Sequence, residues 1–448
     1  MKRARSIYSW ILEYFILPIG DFISGNSVMT SLHQLDQEVH LSEIELHNLQ
    51  NKKLKKLLIH SVKNCEYYSD LDIEIKENDD FIKILKSFPI LTKDDIRKNS
   101  ERMISVKRKK LYAQKSSGST GVPTKVYWIK KEFSRYRATT LLWWKWAGYE
   151  FGDSILQTGM TSKRSLLKHI KDRLFKTFYL HAYNHNDVDL SKALKWLNNQ
   201  KKVVLGGYAS SLYIIAKYCK ENGITKDLKT CISWGDKLFD KYKVLIEEVF
   251  NCKVFNTYGS SEGFMIASQK DLEYMYIMAP NVYLEIVDDN GVEVPDGTMG
   301  HVVVTNLNNY GMPLIRYKLG DLAIKLPKSK YPLNRDLELP VLQQVIGRDT
   351  DIVLTPKGKK LSVHSFNSVL EHFELLKQFQ IVQYDIKGVE IKYVELNELD
   401  SSYLKEIESK LALMIGENGF QLTLTKVTKI ASSKSGKPEM VISHINKK

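Results

Sequence analysis

The sequence predicts an α/β fold. A large amino-terminal domain has a parallel βαβ core that passes into antiparallel β structure, and a small α+β domain follows it. Three observations carry this. Between 201 and 263, strand and helix patterns alternate, and the strand patterns run into glycine. After Pro280 the texture changes to short alternating runs, VYLEIVDDNGVEVPDGTMGHVVVTNL, in which DDNG and PDGTMG are turn signals. A polar, proline-containing stretch, LPKSKYPLNRDLELP, then precedes VIGRDTD and about a hundred residues of mixed pattern, enough for a separate domain.

Taken in order, the chain opens with MKRARSIYSWILEYFILPIGDFI. Basic residues followed by an apolar run suggest a signal peptide, but Glu13, Pro18 and Asp21 interrupt the run and no small-residue cleavage site follows. An aromatic-rich amphipathic helix docked on the body fits better, with weak contact to a membrane surface as the other reading. From 31 to about 100 the spacing is helical, as in LHNLQNKKLKKLLIHSV. Thr92 reads as an N-cap, with Asp95 completing a capping box. KKVVLGGY, LKTCISWGD and KVFNTYGSSEG read as strands separated by the helices SSLYIIAKYCKENGI and KLFDKYKVLIEEVFN. Right-handed crossovers would bring loops 205–208, 233–236 and 257–263 to the carboxyl edge of one sheet, where open α/β sheets bind ligands. Past the boundary at Gly347–Asp351, strands are expected around 379–384, 389–396 and 420–427, with a helix around 402–415.

The 448 residues suggest two to four domains. The composition, 43% hydrophobic and 26% charged, excludes disordered and fibrous classes. No uninterrupted run of 18 apolar residues suggests a membrane span. Cys65, Cys219, Cys231 and Cys252 form no CxxC pair, which argues against a zinc knuckle or a secreted disulfide scaffold and for a cytoplasmic protein. The net charge is +14, and residues 101–200 alone hold 20 Lys and Arg against 7 Asp and Glu. That concentration implies an anionic partner. Nucleic acid is not expected, because no recognised module accompanies the charge. KRSLLKHIKDRLFK sets its leucines and isoleucine opposite lysines, and reads as a solvated helix face or a dock for an anionic glycan intermediate or membrane.

SSGSTGVPTK, 116–125, is the strongest local signal. Its hydroxyls, glycines and free amides can wrap an anion, and it is not a Walker A loop. TYGSSEG ends the third predicted strand: Tyr258 could stack on a base, Ser260 could bond phosphate, and Glu262 could hold Mg²⁺. Asp321 follows a turn glycine, Arg348 falls at the domain junction, and Lys437 follows a Ser-Gly turn. Each has a plain alternative: a polar loop, a helix-start acid, a turn former, a surface ion pair, one lysine among many.

Their order joins them. SSGSTGxPxK, YGSSEG, RYxxGD, GRxxD and SGK in succession resemble the adenylate-forming ligase superfamily. The nearer likeness is to the phenylacetate–coenzyme A ligase family, in its capsule and surface-polysaccharide branch. LKKLLIHSVKNCEYYSDL and FPILTKDDIRKN are similar to that family's amino-terminal helices, and the likeness runs from about residue 45 to the end.

The resemblance implies an adenylation domain over 1–347, mainly helical over 1–105, a hinge at 348–351 pivoting at Asp351, and a mobile lid over 352–448. It implies that Ser116, Ser117, Gly118, Ser119, Thr120, Gly121 and Lys125 grip the phosphates of ATP. Tyr258, Gly259, Gly235 and Asp236 would border the adenine, Ser260 the α-phosphate, and Glu262 would hold Mg²⁺. Asp321 would bind the ribose with Arg348 assisting. Lys437 would bridge carboxylate and phosphate, and would then be withdrawn as the lid turns and presents loop 355–361. The substrates implied are ATP, a small carboxylic acid, and a thiol or amine acceptor, with coenzyme A or an amino sugar or glycan as candidates. Catalytic roles fall to Lys437, Glu262 and Lys125. No zinc is expected, because ASQKDLEYMYIMAP, where many relatives carry a Cys/His site, has neither residue. Trp143, Trp144, Trp146 and Tyr149 read as core, with an acid pocket as the alternative. A non-catalytic nucleotide- or glycan-binding protein of a polysaccharide-assembly complex is the other function considered. The expected location is the cytoplasm, with the inner face of the membrane as a second placement.

Overall fold

The computed structural model describes residues 6–76, 80–115, 124–159, 166–182, 187–349, 352–370, 372–373, 375–430 and 440–445. Strands β1 (Tyr112–Lys115) and β2 (Lys125–Trp128) pair as an antiparallel hairpin. Five strands then run parallel: β3 (Ser154–Gly159), β4 (Thr177–His181), β5 (Val203–Tyr208), β6 (Thr230–Trp234) and β7 (Val254–Gly259). The antiparallel half comprises β8 (Met265–Ser268), β9 (Met275–Ile277), β10 (Val282–Val287), β11 (Met299–Asn306), β12 (Tyr317–Lys325) and β13 (Val341–Arg348). Strands β3 to β13 form one sheet in the order β10-β11-β12-β13-β9-β8-β7-β6-β5-β3-β4.

The βαβ reading holds: helices Ala209–Glu221 and Asp240–Phe250 connect β5, β6 and β7, whose carboxyl ends share one edge. Strand β7 joins the two halves. Its first residues pair parallel with β6, and Thr257 to Gly259 pair antiparallel with β8. Burial explains why β5 and β6 read so clearly. Val204, Leu205, Cys231 and Ile232 are fully covered, as strands with helices on both faces must be.

The amino-terminal region is helical, with Glu43–Asn64 opened by a Ser42–Glu45 capping box and Lys93–Asn99 by the expected Thr92–Asp95 box. Just before that second box, Leu91 lies along β12. Its amide donates to Arg316 O at 2.9 Å, and its carbonyl accepts from Lys318 N at 2.9 Å. Arg316 has a left-handed backbone, φ +51°. Its buried guanidinium donates to both oxygens of Glu285, at 3.2 and 3.0 Å, and to the carbonyls of Lys86 and Phe88. The strained residue is thus over-determined by its partners, and it fixes where the Thr92–Asn99 segment meets the sheet.

Helix Ile7–Ser24 forms, with a π turn at Leu12–Ile16, and it docks on the body through Leu12, which is fully buried in the main core, but it turns polar side chains inward as well. Ser9 and Glu13 are buried, and Glu13 lies 3.7 Å from Lys145. By length and composition this helix is also apolar enough to cross a membrane, which the search for an uninterrupted run missed because Glu13 and Asp21 break it.

Strands β14 (Ile352–Leu354) and β15 (Lys360–Ser362) form a separate pair. Strands β16 (Leu376–Gln383), β17 (Gly388–Glu395), β18 (Gln421–Lys426) and β19 (Val441–Ser443) make a four-stranded sheet ordered β18-β17-β16-β19. Helices Val363–Leu370 and Ser401–Ile415 accompany it. Phe366, Leu370, Ile381, Ile391 and Leu411 belong to a core cluster of this region, distinct from those of the large sheet.

Candidate functional site

The candidate site begins where β7 ends. Its last residues lead into a tight turn in which Gly263 N donates to Ser260 O at 3.1 Å and Ser260 N to Phe264 O at 2.9 Å. Gly263 has φ +99°, and a Cβ there would fall 1.9 Å from the Trp128 indole, so only glycine lets the turn close against β2. The turn leaves Ser260 Oγ buried without a hydrogen-bond partner among the described residues. Such an orphan is uncommon in a folded protein and marks a place where a ligand atom can bond.

Four strands along the sheet, in the antiparallel half, Asp321 on β12 faces Arg348, the last residue of β13, as its register partner. Arg348 Nε lies 3.1 Å from Asp321 Oδ1, and Tyr258 O–H donates to Asp321 Oδ2 at 2.8 Å. Burial raises the Asp321 carboxyl, and the Arg348 charge opposes it. Burial also pushes the Tyr258 phenol well above its usual range, with Asp321 adding to the effect, so Tyr258 remains a donor at any ordinary pH. Each carboxylate oxygen keeps a free lone pair, which suits a pair of adjacent hydroxyl donors.

Glu262 is buried beside this clamp. Its Oε1 accepts from Tyr317 O–H at 3.3 Å and its Oε2 from Ser261 Oγ at 3.3 Å. Lys93 Nζ stands 4.0 Å from Oε1. Burial lowers the Lys93 pKa, and Arg348 lowers it further, while Glu262 and Asp321 act the other way. Lys93 therefore senses both acids, and it is the site residue that the motif reading missed. The signal was present in FPILTKDDIRKN, where Lys93 passed as the first residue of a capped helix.

Gly235 and Asp236 lie one strand over, in the loop after β6. Gly235 has φ +80°, and a Cβ would meet the Tyr208 ring at 2.4 Å. The Asp236 carboxylate accepts from Ala209 N at 2.5 Å and Ser210 N at 3.3 Å, capping the helix that follows β5. Thr257 Oγ1 donates to Ser233 O at 2.9 Å, which ties this loop to the end of β7. Lys125 is exposed at the start of β2, and its register partner is Lys115 at the base of the hairpin. Ser116, Ser117, Gly118, Ser119, Thr120, Gly121, Asp351 and Lys437 lie outside the described residues. Trp143, Trp144 and Tyr149 are buried in the main core, with Trp144 stacked on Trp234 at 5.9 Å, as the core reading expects.

Among the described residues no group of three or more His, Cys, Asp or Glu is placed to hold a metal ion. The donor set here is a single carboxylate. That fits Mg²⁺, which takes one or two protein carboxylates and completes its shell with phosphate oxygens and water.

Residues 353–444 match the CapK C-terminal domain family. Over 418 residues, 90% of each chain, the sequence is 27% identical to Protein CapK of Staphylococcus aureus. It is 23% identical to phenylacetate–coenzyme A ligase of Pseudomonas putida over 83% of this chain and 86% of that one. The fold is similar to that of 2-hydroxyisobutyryl-CoA ligase in complex with 2-HIB-AMP, with a TM-score of 0.71 at 15% identity over 91% of both chains. Over most of its length the chain is thus similar in sequence to CapK and to phenylacetate–coenzyme A ligases, and its fold is that of an adenylate-forming acyl-CoA ligase.

Proposed function

We propose that this protein activates a small carboxylic acid with ATP and passes the acyl group to a thiol or amine. The carboxylate attacks the α-phosphorus, pyrophosphate leaves, and an acyl-adenylate results. The observation that carries the reading is the Tyr258–Asp321–Arg348 clamp, set beside Glu262 and the orphaned Ser260 hydroxyl at one sheet edge.

Each group has a definable task. Asp321 would accept the ribose hydroxyls, with Arg348 and Tyr258 holding its carboxylate in place. Ser260 O–H would donate to the α-phosphate. Glu262 would hold Mg²⁺, which supplies charge neutralisation at the phosphoryl oxygens when bound. Lys93 and Lys125, and the hydroxyls and amides of residues 116–121, would oppose the remaining phosphate charge. Lys437 would bring carboxylate and phosphate together, the electrostatic help that such a meeting of anions needs.

The same reading treats 348–351 as a hinge with Asp351 as its pivot, and 352–448 as a lid. Contacts that a turning lid would exchange are present: Lys360 Nζ bonds Asp289 at 3.0 Å, and His301 lies 3.5 Å from Asp349. The motif resemblance to the capsule and surface-polysaccharide branch favours a role in capsule or surface-polysaccharide modification, with an amino sugar or glycan as acceptor. Similarity to phenylacetate–coenzyme A ligases supports coenzyme A instead. Free cysteines and the use of ATP support a cytoplasmic location. With ATP, Mg²⁺, hydroxylamine and a panel of carboxylic acids, the protein should release pyrophosphate and form a hydroxamate with at least one acid. Nucleotide binding without pyrophosphate release across the panel would point to the non-catalytic reading.

A further inference from the structure

Helix Ile7–Ser24 seats Leu12 in the main core, with Ile16 and Leu17 packed beside it, yet it leaves a second apolar face uncovered. Its two acids face the protein: Glu13 meets Lys145, and Asp21 Oδ2 accepts from Met29 N at 2.8 Å. Six of its apolar side chains face outward, with Ile7 79%, Phe22 86% and Ile23 79% exposed, and Trp10, Phe15 and Ile19 each about half exposed. Trp10 packs on Phe15 with ring centroids 5.1 Å apart, so the aromatic side chains form a patch on the outside. A soluble surface rarely leaves such a continuous strip uncovered.

What lies beside the strip indicates its partner. Helix Leu166–Leu174 abuts it: Tyr8 O–H donates to Leu174 O, and Lys176 Nζ sits 4.6 Å from the Tyr8 ring centroid. That neighbour exposes Lys168, Lys171 and Arg173, and also Ile170. No acidic side chain of Ile7–Ser24 points outward. An aromatic and aliphatic strip flanked by cations complements an anionic lipid surface, with rings at headgroup depth and lysines on the phosphates.

The anchoring sets the orientation. The helix is held along its length at Tyr8, Glu13 and Asp21, and turns at Gly25, φ +59°, into helix Val28–Glu38, whose Leu32 and Leu35 are in the main core. Spanning a bilayer would require breaking all of these contacts. Lying flat breaks none.

We propose that Ile7–Ser24, with Lys168, Lys171, Arg173 and Lys176 beside it, is a docking surface for an anionic phospholipid bilayer and lies in the plane of its headgroups. This surface is independent of the reaction proposed above.

The test is flotation of the full chain with vesicles of equimolar phosphatidylcholine and phosphatidylglycerol against vesicles of phosphatidylcholine alone. The mixed vesicles should carry about tenfold more protein, and added salt should reduce the difference. Phe15→Glu/Phe22→Glu and Lys168→Glu/Lys171→Glu should each cut binding to the mixed vesicles about tenfold, with an unchanged unfolding midpoint. Independently of any folding effect, brominated lipids should quench the wild-type protein more than Trp10→Phe. Failure to float, or equal flotation of Phe15→Glu/Phe22→Glu, overturns the proposal. So does a wild-type oligomer that Phe15→Glu/Phe22→Glu converts to monomer without lipid, since the strip would then cover a second copy. Retention in the bilayer at alkaline pH would make the helix a span and overturn the flat orientation.

Discussion

Two kinds of buried ionic centre occupy the large domain, and they are finished differently. Around Glu38, the carboxylate takes Lys53 Nζ at 3.0 Å, the Arg135 guanidinium and Gln34 Nε2, while Arg135 Nε donates to Asn281 at 2.9 Å and Asn281 donates on to Thr139. Glu285 and Arg316 are closed in the same way. Around Asp321 and Glu262 the partners are looser. A lysine stands 4.0 Å away, one hydroxyl has no partner among the described residues, and lone pairs remain unused. Closed centres hold the chain together, whereas the open one is arranged for something that arrives from outside. Unpaired buried polar groups are costly, so an orphaned hydroxyl beside two loosely held carboxylates argues for a ligand there.

The contrast can be broken or sharpened by substitution. The largest effect should come from a closed centre. Arg316→Ala leaves Glu285 buried and alone, and should destabilise the fold by about 3–5 kcal/mol in urea titration. A smaller loss would mean that the centre is wetter than its geometry implies.

Glu132 offers the next largest. Burial raises its carboxyl to about 7, against the bonds it accepts from the amides of Ile129, Gly311 and Tyr310. The fold therefore favours the protonated form. Its contribution to stability is complete below the unfolded value near 4.5 and is lost as pH rises through about 7. The slope should amount to something on the order of 3 kcal/mol across that window, and Glu132→Gln should flatten it.

At the open centre the effects should move from stability to binding. Asp321→Asn should weaken ATP about tenfold in calorimetry, roughly 1.4 kcal/mol, and change unfolding by much less. Ser260→Ala should leave stability within about 0.5 kcal/mol, because it removes an unpaired group, and should weaken ATP about threefold. Equal losses of binding and stability at either position would place them with the closed centres.

Much of this arrangement is visible in the sequence. Strands β5 and β6 declare themselves because each is a buried apolar run, and β5, β6 and β7 all run into glycine; at Gly235 and, in the turn after β7, Gly263 a side chain would strike Tyr208 or Trp128. Tyr258, Asp321 and Arg348 lie far apart in the chain but stand out by their order, and the sheet brings them within hydrogen-bonding reach. Lys93 does not stand out. Its place depends on Leu91 pairing with β12, a contact across more than two hundred residues that local spacing does not encode. Nor does the amino-terminal helix reveal which side faces inward. Periodicity identifies an apolar face, but only the position of Lys145 explains why Glu13 turns toward the protein. Strands β3 and β4 also went unread, because SILQTG and TFYLH are short and mixed in character.

The central claim is that a carboxylate oxygen attacks the α-phosphorus at this open centre. Once a panel identifies an accepted acid, that acid labelled with ¹⁸O in its carboxyl group tests the claim directly. After one turnover with ATP, the protein should place a label in AMP, and Lys437→Ala should abolish the transfer. Formation of ADP, or of AMP that takes its new oxygen only from water, would contradict it.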